Sequence, residues 1–143
     1  MKREIDTIDL NKTVKEVATL LAKGRSGCVI AVRDRIVTGI VTEQDVVSKV
    51  TAGGFNPSEV LVSDVMSSPV ISVRDTATLR EAAEKMSEYD IRRLVVVNER
   101  GSLSGLIAAE DLARWLAKQS NYDDVAMNAI ARLKQESSEG PYR

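Results

Sequence analysis

Two carboxylates stand at repeated places in this chain, Asp45 closing Gly39-Ile40-Val41-Thr42-Glu43-Gln44-Asp45 and Asp111 closing Gly105-Leu106-Ile107-Ala108-Ala109-Glu110-Asp111. An ionised carboxylate accepts hydrogen bonds through both oxygens, so either residue can hold neighbouring hydroxyl donors. The first motif sets the hydroxyl of Thr42 three residues ahead of its acid, and the second has Ala108 there. The shared acid implies two related pockets, and the lost hydroxyl implies that they are not equivalent. The spacing Thr42-x-x-Asp45 also fits a helix cap, with the threonine at N-cap and the acid at N3. The heptapeptides alone leave both roles open.

Other chemistry is narrowly bounded. With no histidine, the chain lacks the commonest general base, the usual zinc ligand and any serine–histidine triad. Cys28 is the only cysteine, so an intramolecular disulfide and a thiolate cage are excluded, and its apolar setting suits a small core residue better than a reactive thiol. Gly24-Arg25-Ser26-Gly27 lacks the lysine and spacing of a phosphate-binding P-loop. No catalytic constellation and no metal site can be assembled, so an enzyme is not expected. Arg92-Arg93 is the best cationic pair, either forked toward phosphate oxygens or simply solvated at a strand entry. Its first-half equivalents, Gly27 and Cys28, carry no charge.

The elements that must position these groups also repeat. Thr13-Val14-Lys15-Glu16-Val17-Ala18 matches Thr78-Leu79-Arg80-Glu81-Ala82-Ala83, and Val29-Ile30-Ala31-Val32 matches Leu94-Val95-Val96-Val97. One inserted residue near Arg100-Gly101 then shifts the register. A long period present only twice implies pseudo-two-fold symmetry, since a solenoid needs several short repeats. Each half predicts an extended segment (Ile5–Ile8, Val70–Val73) and a helix opened by a capping box (Thr13-x-x-Glu16, Thr78-x-x-Glu81). A hairpin of apolar strands follows, Cys28–Val32 with Ile36–Val41 and Leu94–Val97 with Leu103–Ile107, and then a second helix, Glu43–Val50 or Ala109–Lys118. Gly53-Gly54-Phe55-Asn56-Pro57 reads as a connector, followed by a short helix around Ser63–Met66. Asp123–Gln135 reads as an extra helix whose apolar positions pack on their own domain or on a second copy, and Ser137–Arg143 as a frayed tail.

Composition excludes several classes. The chain has 143 residues, enough for one compact domain of two halves that are each too small to bury a good core alone. A net charge of −1 and 3% aromatics give no basis for a nucleic-acid surface or a base-stacking platform. The Met1-Lys2-Arg3-Glu4 start is followed by no long apolar stretch, so neither signal peptide nor membrane span is expected, and the protein reads as cytoplasmic.

In this order, twice over, the chain resembles a pair of cystathionine-β-synthase-type (CBS) repeats, the regulatory unit called a Bateman module. Asp64-Val65-Met66-Ser67-Ser68-Pro69-Val70, Ile91-Arg92-Arg93-Leu94-Val95-Val96-Val97 and the two glycine-to-aspartate motifs carry the resemblance over about residues 5–118. It implies an α/β (α+β) fold of two β-α-β-β-α repeats packed through their sheets, with repeat 1 at 1–52, a linker with a short helix at 53–69, repeat 2 at 70–120 and a C-terminal helix and tail at 121–143. It further implies clefts between the repeats for an adenosine-containing ligand (AMP, ADP, ATP or S-adenosylmethionine), no required cofactor, a homodimer, and a regulated partner protein. A scaffold or dimerisation module with vestigial pockets is the alternative.

By the same resemblance, Thr42 and Asp45 hold ribose or phosphate with Gln44 at the rim, and the base-binding wall comes from the opposite repeat through Ser67, Val70, Ile71, Ile91 and Arg92. The second cleft keeps Asp111 and Arg93 but has Ala108, with Glu110 and Asp6 adding negative charge, and is expected to bind weakly, to prefer a less charged adenosine derivative, or to stay empty.

Overall fold

The computed structural model describes residues 5–24, 26–118 and 130–131, and it divides into two compact units, one spanning Glu4–Val70 and one beginning at Ile71. Of the expected C-terminal helix only Ile130 and Ala131 fall among the described residues, and both are helical; the tail at Ser137–Arg143 lies outside them.

The first unit runs β1 (Thr7–Asp9), α1 (Val14–Lys23), β2 (Cys28–Arg33), β3 (Ile36–Thr42) and α2 (Glu43–Asp45), then a π-helical stretch, Val46–Thr51. A 3-10 turn, Pro57–Glu59, and α3 (Val62–Val65) complete it. The second unit repeats the order as β4 (Ser72–Arg74), α4 (Leu79–Tyr89), β5 (Arg93–Val97), β6 (Leu103–Ala108) and α5 (Ala109–Ala117). Each sheet has three strands in sequence order, the first pair parallel and the second antiparallel. Parallel pairing demands a crossover, which α1 and α4 supply.

Both crossover helices begin as their capping boxes predict. Glu16 N–H donates to Thr13 Oγ1 at 3.4 Å and Thr13 N–H to Glu16 Oε2 at 3.0 Å. The Thr78–Glu81 pair repeats this at 3.1 and 3.3 Å. The strand registers agree as well, with an irregularity at Ala31/Val32 in one sheet and at the equivalent Val96/Val97 in the other. Such a bulge re-phases the outer strand just ahead of its glycine motif.

Two expectations need correcting, the leading strands and the second helix of the first half. The leading strands begin at Thr7 and Ser72, not at Ile5 and Val70, because ladder pairing to the hairpin starts only there. The turn after β2 has positive φ at both Asp34 (50°) and Arg35 (68°), which a two-residue hairpin loop of this hand requires despite the absence of glycine. The predicted helix Glu43–Val50 is one short α-turn that widens at once into the π-helical stretch, with Ala52 N–H reaching Val47 O at 2.8 Å. Val46, Val47, Val50 and Thr51 are β-branched and poor helix formers, whereas α5 has Leu112, Ala113, Leu116 and Ala117 at the equivalent places and stays regular.

The segment after the π-helix packs back onto its own unit. Val62 and Val65 join Ile8, Val14, Val17, Val29, Ala31, Val41 and Val50 in one buried cluster. Full burial of each valine contributes roughly 1.5–3 kcal/mol, so the segment is a structural part of the first unit. Cys28 is buried, as its apolar setting predicts.

Candidate functional site

Thr42 is the last residue of β3 and the N-cap of α2, and it is 2% exposed. Asp45, at N3, is 8% exposed. The Asp45 backbone N–H donates to Thr42 Oγ1 at 3.2 Å, and Thr42 returns two bonds to Asp45 Oδ2, from its N–H at 2.9 Å and its hydroxyl at 3.1 Å. The capping role is therefore realised in full, inside the protein. Lys49, one turn further on, sets its ammonium 3.1 Å from Asp45 Oδ1 and donates to the backbone oxygen of Val65 at 2.9 Å. Val65 is the last residue of α3, so the lysine satisfies a helix-end carbonyl and the buried carboxylate together.

That arrangement bears directly on ligand chemistry. A carboxylate has about four acceptor positions, and three of those of Asp45 are used by Thr42 and Lys49. Two neighbouring hydroxyls would need two, so a diol at Asp45 has to displace either the lysine or part of the cap. Sequence reasoning missed Lys49, although an acid and a lysine four apart on a helix are a recognisable pair.

Gly39 has a packing reason. A Cβ there would overlap the side chain of Met66, the residue after α3. The next residues lock together, with Ile40 N–H donating to Ser67 O at 3.1 Å and Ser67 N–H to Ile40 O at 2.9 Å. Ser67 thus extends the sheet beyond β3, two strand positions before Thr42. Val70, half-buried, ends this unit, and Gln44 is exposed.

Asp111 holds the equivalent place in the second unit under different bonding. Ala108 caps α5 without a side-chain bond, and Asp111 pairs with Arg114 on its own helix. The acid is half-buried, with a side-chain exposure of 21%. Arg93 opens β5 directly opposite Ala108, and the Arg92 carbonyl accepts the Ala109 N–H at 2.9 Å. In the first unit Cys28 lies opposite Thr42, and the Gly27 carbonyl accepts the Glu43 N–H at 3.3 Å. The predicted equivalence of Gly27-Cys28 with Arg92-Arg93 therefore holds. Ile91 is fully buried and Ile71 half-buried in the same unit as the arginines. Within units, Thr42, Gln44 and Asp45 come together near Ser67, while Arg92 and Arg93 stand beside the Ala108–Asp111 turn.

A family model described as CBS domain matches residues 1–52 and 62–118. This chain belongs to the CBS-domain family. A CBS domain-containing protein of Bacillus subtilis is 31% identical over 113 residues, 79% of each chain. An uncharacterised protein of Methanopyrus kandleri is 36% identical over 112 residues, 78% of this chain, which spans only 57% of that protein's length. Among solved structures, a CBS domain protein of Pyrobaculum aerophilum complexed with AMP is 30% identical, with a TM-score of 0.70 over 92% of this chain and 95% of the other. Among the described residues no helix is long and apolar enough to cross a membrane.

Proposed function

We propose that this CBS pair is a regulatory, non-catalytic module that binds an adenosine-containing ligand in a cleft between its repeats and passes occupancy to a partner. The observation that carries the reading is the AMP complex of the Pyrobaculum relative, alike in sequence and fold over nearly all of both chains. AMP, ADP, ATP and S-adenosylmethionine share the ribose that an aspartate at a helix start can hold and the base that Ser67, Val70, Ile71 and Ile91 are expected to enclose. Arg92 is assigned to a phosphate at the Thr42 cleft and Arg93 to the Asp111 cleft. The module works as a cytoplasmic homodimer, and a ligand bridging the repeats shifts their arrangement for the partner.

Equilibrium binding of the four ligands tests this reading. At least one should bind, and Arg92→Ala should weaken a phosphorylated ligand without weakening adenosine. Failure of all four to bind sinks the reading. The bonding of Asp45 favours a second one, a scaffold whose first pocket has become structural, because Thr42 and Lys49 already take most of its acceptor capacity. A homodimer whose Tm no nucleotide moves would establish that alternative.

A further inference from the structure

The ammonium of Lys49 makes two contacts in the first repeat, 3.1 Å to Asp45 Oδ1 and 2.9 Å to the Val65 carbonyl. The first is with the carboxylate to which a ribose is assigned. The second is with the last residue of α3, and from there the chain runs directly through Met66 to Ser67 and Val70, expected to face the base. Met66 packs against Gly39, and Ser67 shares two backbone bonds with Ile40, two positions before Thr42. One ammonium therefore ties the expected sugar acceptor to the segment expected to enclose the base.

The two oxygens of Asp45 are not equally available. Oδ2 accepts twice from Thr42, from its N–H and its hydroxyl, as part of the helix cap. Oδ1 is held by Lys49. Breaking the cap would strand two donors of a residue that is 2% exposed, whereas the lysine side chain is 44% exposed and its ammonium can return to water. The lysine is thus the partner that a pair of ribose hydroxyls displaces. An ion pair so exposed shifts an equilibrium by no more than about fivefold, less than two charge-assisted hydrogen bonds supply. The second repeat is built otherwise: Trp115 stands at the place of Lys49, and Asp111 pairs with Arg114, whose counterpart is Ser48.

We propose, resting on the ribose role assigned to Asp45, that Lys49 is a built-in competitor for the first site and the residue through which ligand binding there reaches α3. On Oδ1 its ammonium stands where a sugar hydroxyl would bind, and the same ammonium holds the end of α3. A ligand that takes Oδ1 expels the lysine. That one event frees the Val65 carbonyl and loosens Met66 and Ser67, which lead toward the second repeat. Ligand affinity is lowered by the fraction of molecules in which the lysine is engaged. Lys49 is a positioning residue in this scheme, acting on the ligand only through Asp45 and α3.

Two measurements on the full-length chain test the proposal. The Met66 amide donates to Val62 O at 3.0 Å and the Ser67 amide to Ile40 O at 2.9 Å, so both report the end of α3 by hydrogen exchange. Without added nucleotide, Lys49→Met should speed their exchange by up to about fivefold, and by more than that of the Glu81 amide in the second repeat. Lys49→Arg, which keeps a cation for both acceptors, should stay close to wild type. Unchanged exchange in Lys49→Met overturns the proposal whatever the protein binds. The second measurement is calorimetric titration with AMP in an Asp111→Ala background, which leaves Asp45 as the ribose acceptor. Lys49→Met should then bind AMP up to about fivefold more tightly than the same protein with Lys49, a gain that loss of a merely structural contact would not produce. Equal or weaker affinity overturns the competitor role and leaves AMP binding standing. AMP bound by neither protein removes the ribose role of Asp45, and the proposal with it.

Discussion

The two aspartates end the same motif and begin equivalent helices, yet they live in different chemistry. Asp45 is buried in a closed set of bonds with Thr42 and Lys49, while Asp111 is half-buried and held by Arg114 alone among the bonds described for it. Across the strand from each motif the contrast reverses. Cys28 faces Thr42, and Arg93 faces Ala108. One repeat therefore has a hydroxyl and no cation on the facing strand, and the other has a cation there and no hydroxyl. The carboxylate stands in both halves, and its neighbours tie one copy into the fold and leave the other more accessible to solvent.

The strongest way to break that comparison is to remove each acid in turn. Asp45→Ala strands the Thr42 donors and the Lys49 ammonium, and should cost about 3 kcal/mol in urea unfolding. Asp111→Ala removes a more exposed pair and should cost less than about 1 kcal/mol. Equal losses would mean that the two carboxylates are structurally equivalent. Gly39→Ala forces a methyl into the Met66 side chain and should lower stability by about 2 kcal/mol, read as a drop in Tm.

A gain of stability sharpens the contrast from the other side. Ala108→Thr installs the cap that the second repeat lacks and should stabilise by about 1 kcal/mol in the same denaturation. The smallest effect on stability belongs to Lys49→Met, which removes a partly exposed ammonium and should cost about 0.5 kcal/mol. It also releases an acceptor of Asp45, so calorimetric titration with AMP should show tighter binding if that acid holds the ribose. Unchanged affinity would assign Asp45 to the cap alone.

Much of this architecture is legible because its determinants are local. Thr13 with Glu16, Thr78 with Glu81 and Thr42 with Asp45 each need only three residues of separation, so spacing announces them. The hairpin strands follow from continuous β-branched runs. The widening of Val46–Thr51 into a π-helix was not legible, since weak helix propensity lowers the preference for a regular helix without choosing its replacement. Lys49 was half legible: its spacing from Asp45 marks an ion pair, but its second partner, the carbonyl of Val65, lies sixteen residues away in another helix.

By itself, then, the sequence determined the repeat, the order of elements, the helix starts and the pair of acids worth examining, because capping and periodicity act over a few residues. Only the tertiary structure decided what the acids do. It returned α3 to the first repeat, set Met66 against Gly39 and brought Lys49 to both Asp45 and Val65. Burial and hydrogen-bond saturation depend on segments distant in the chain, and those contacts separate a carboxylate buried in a closed set of bonds from one half-buried beside an arginine of its own helix.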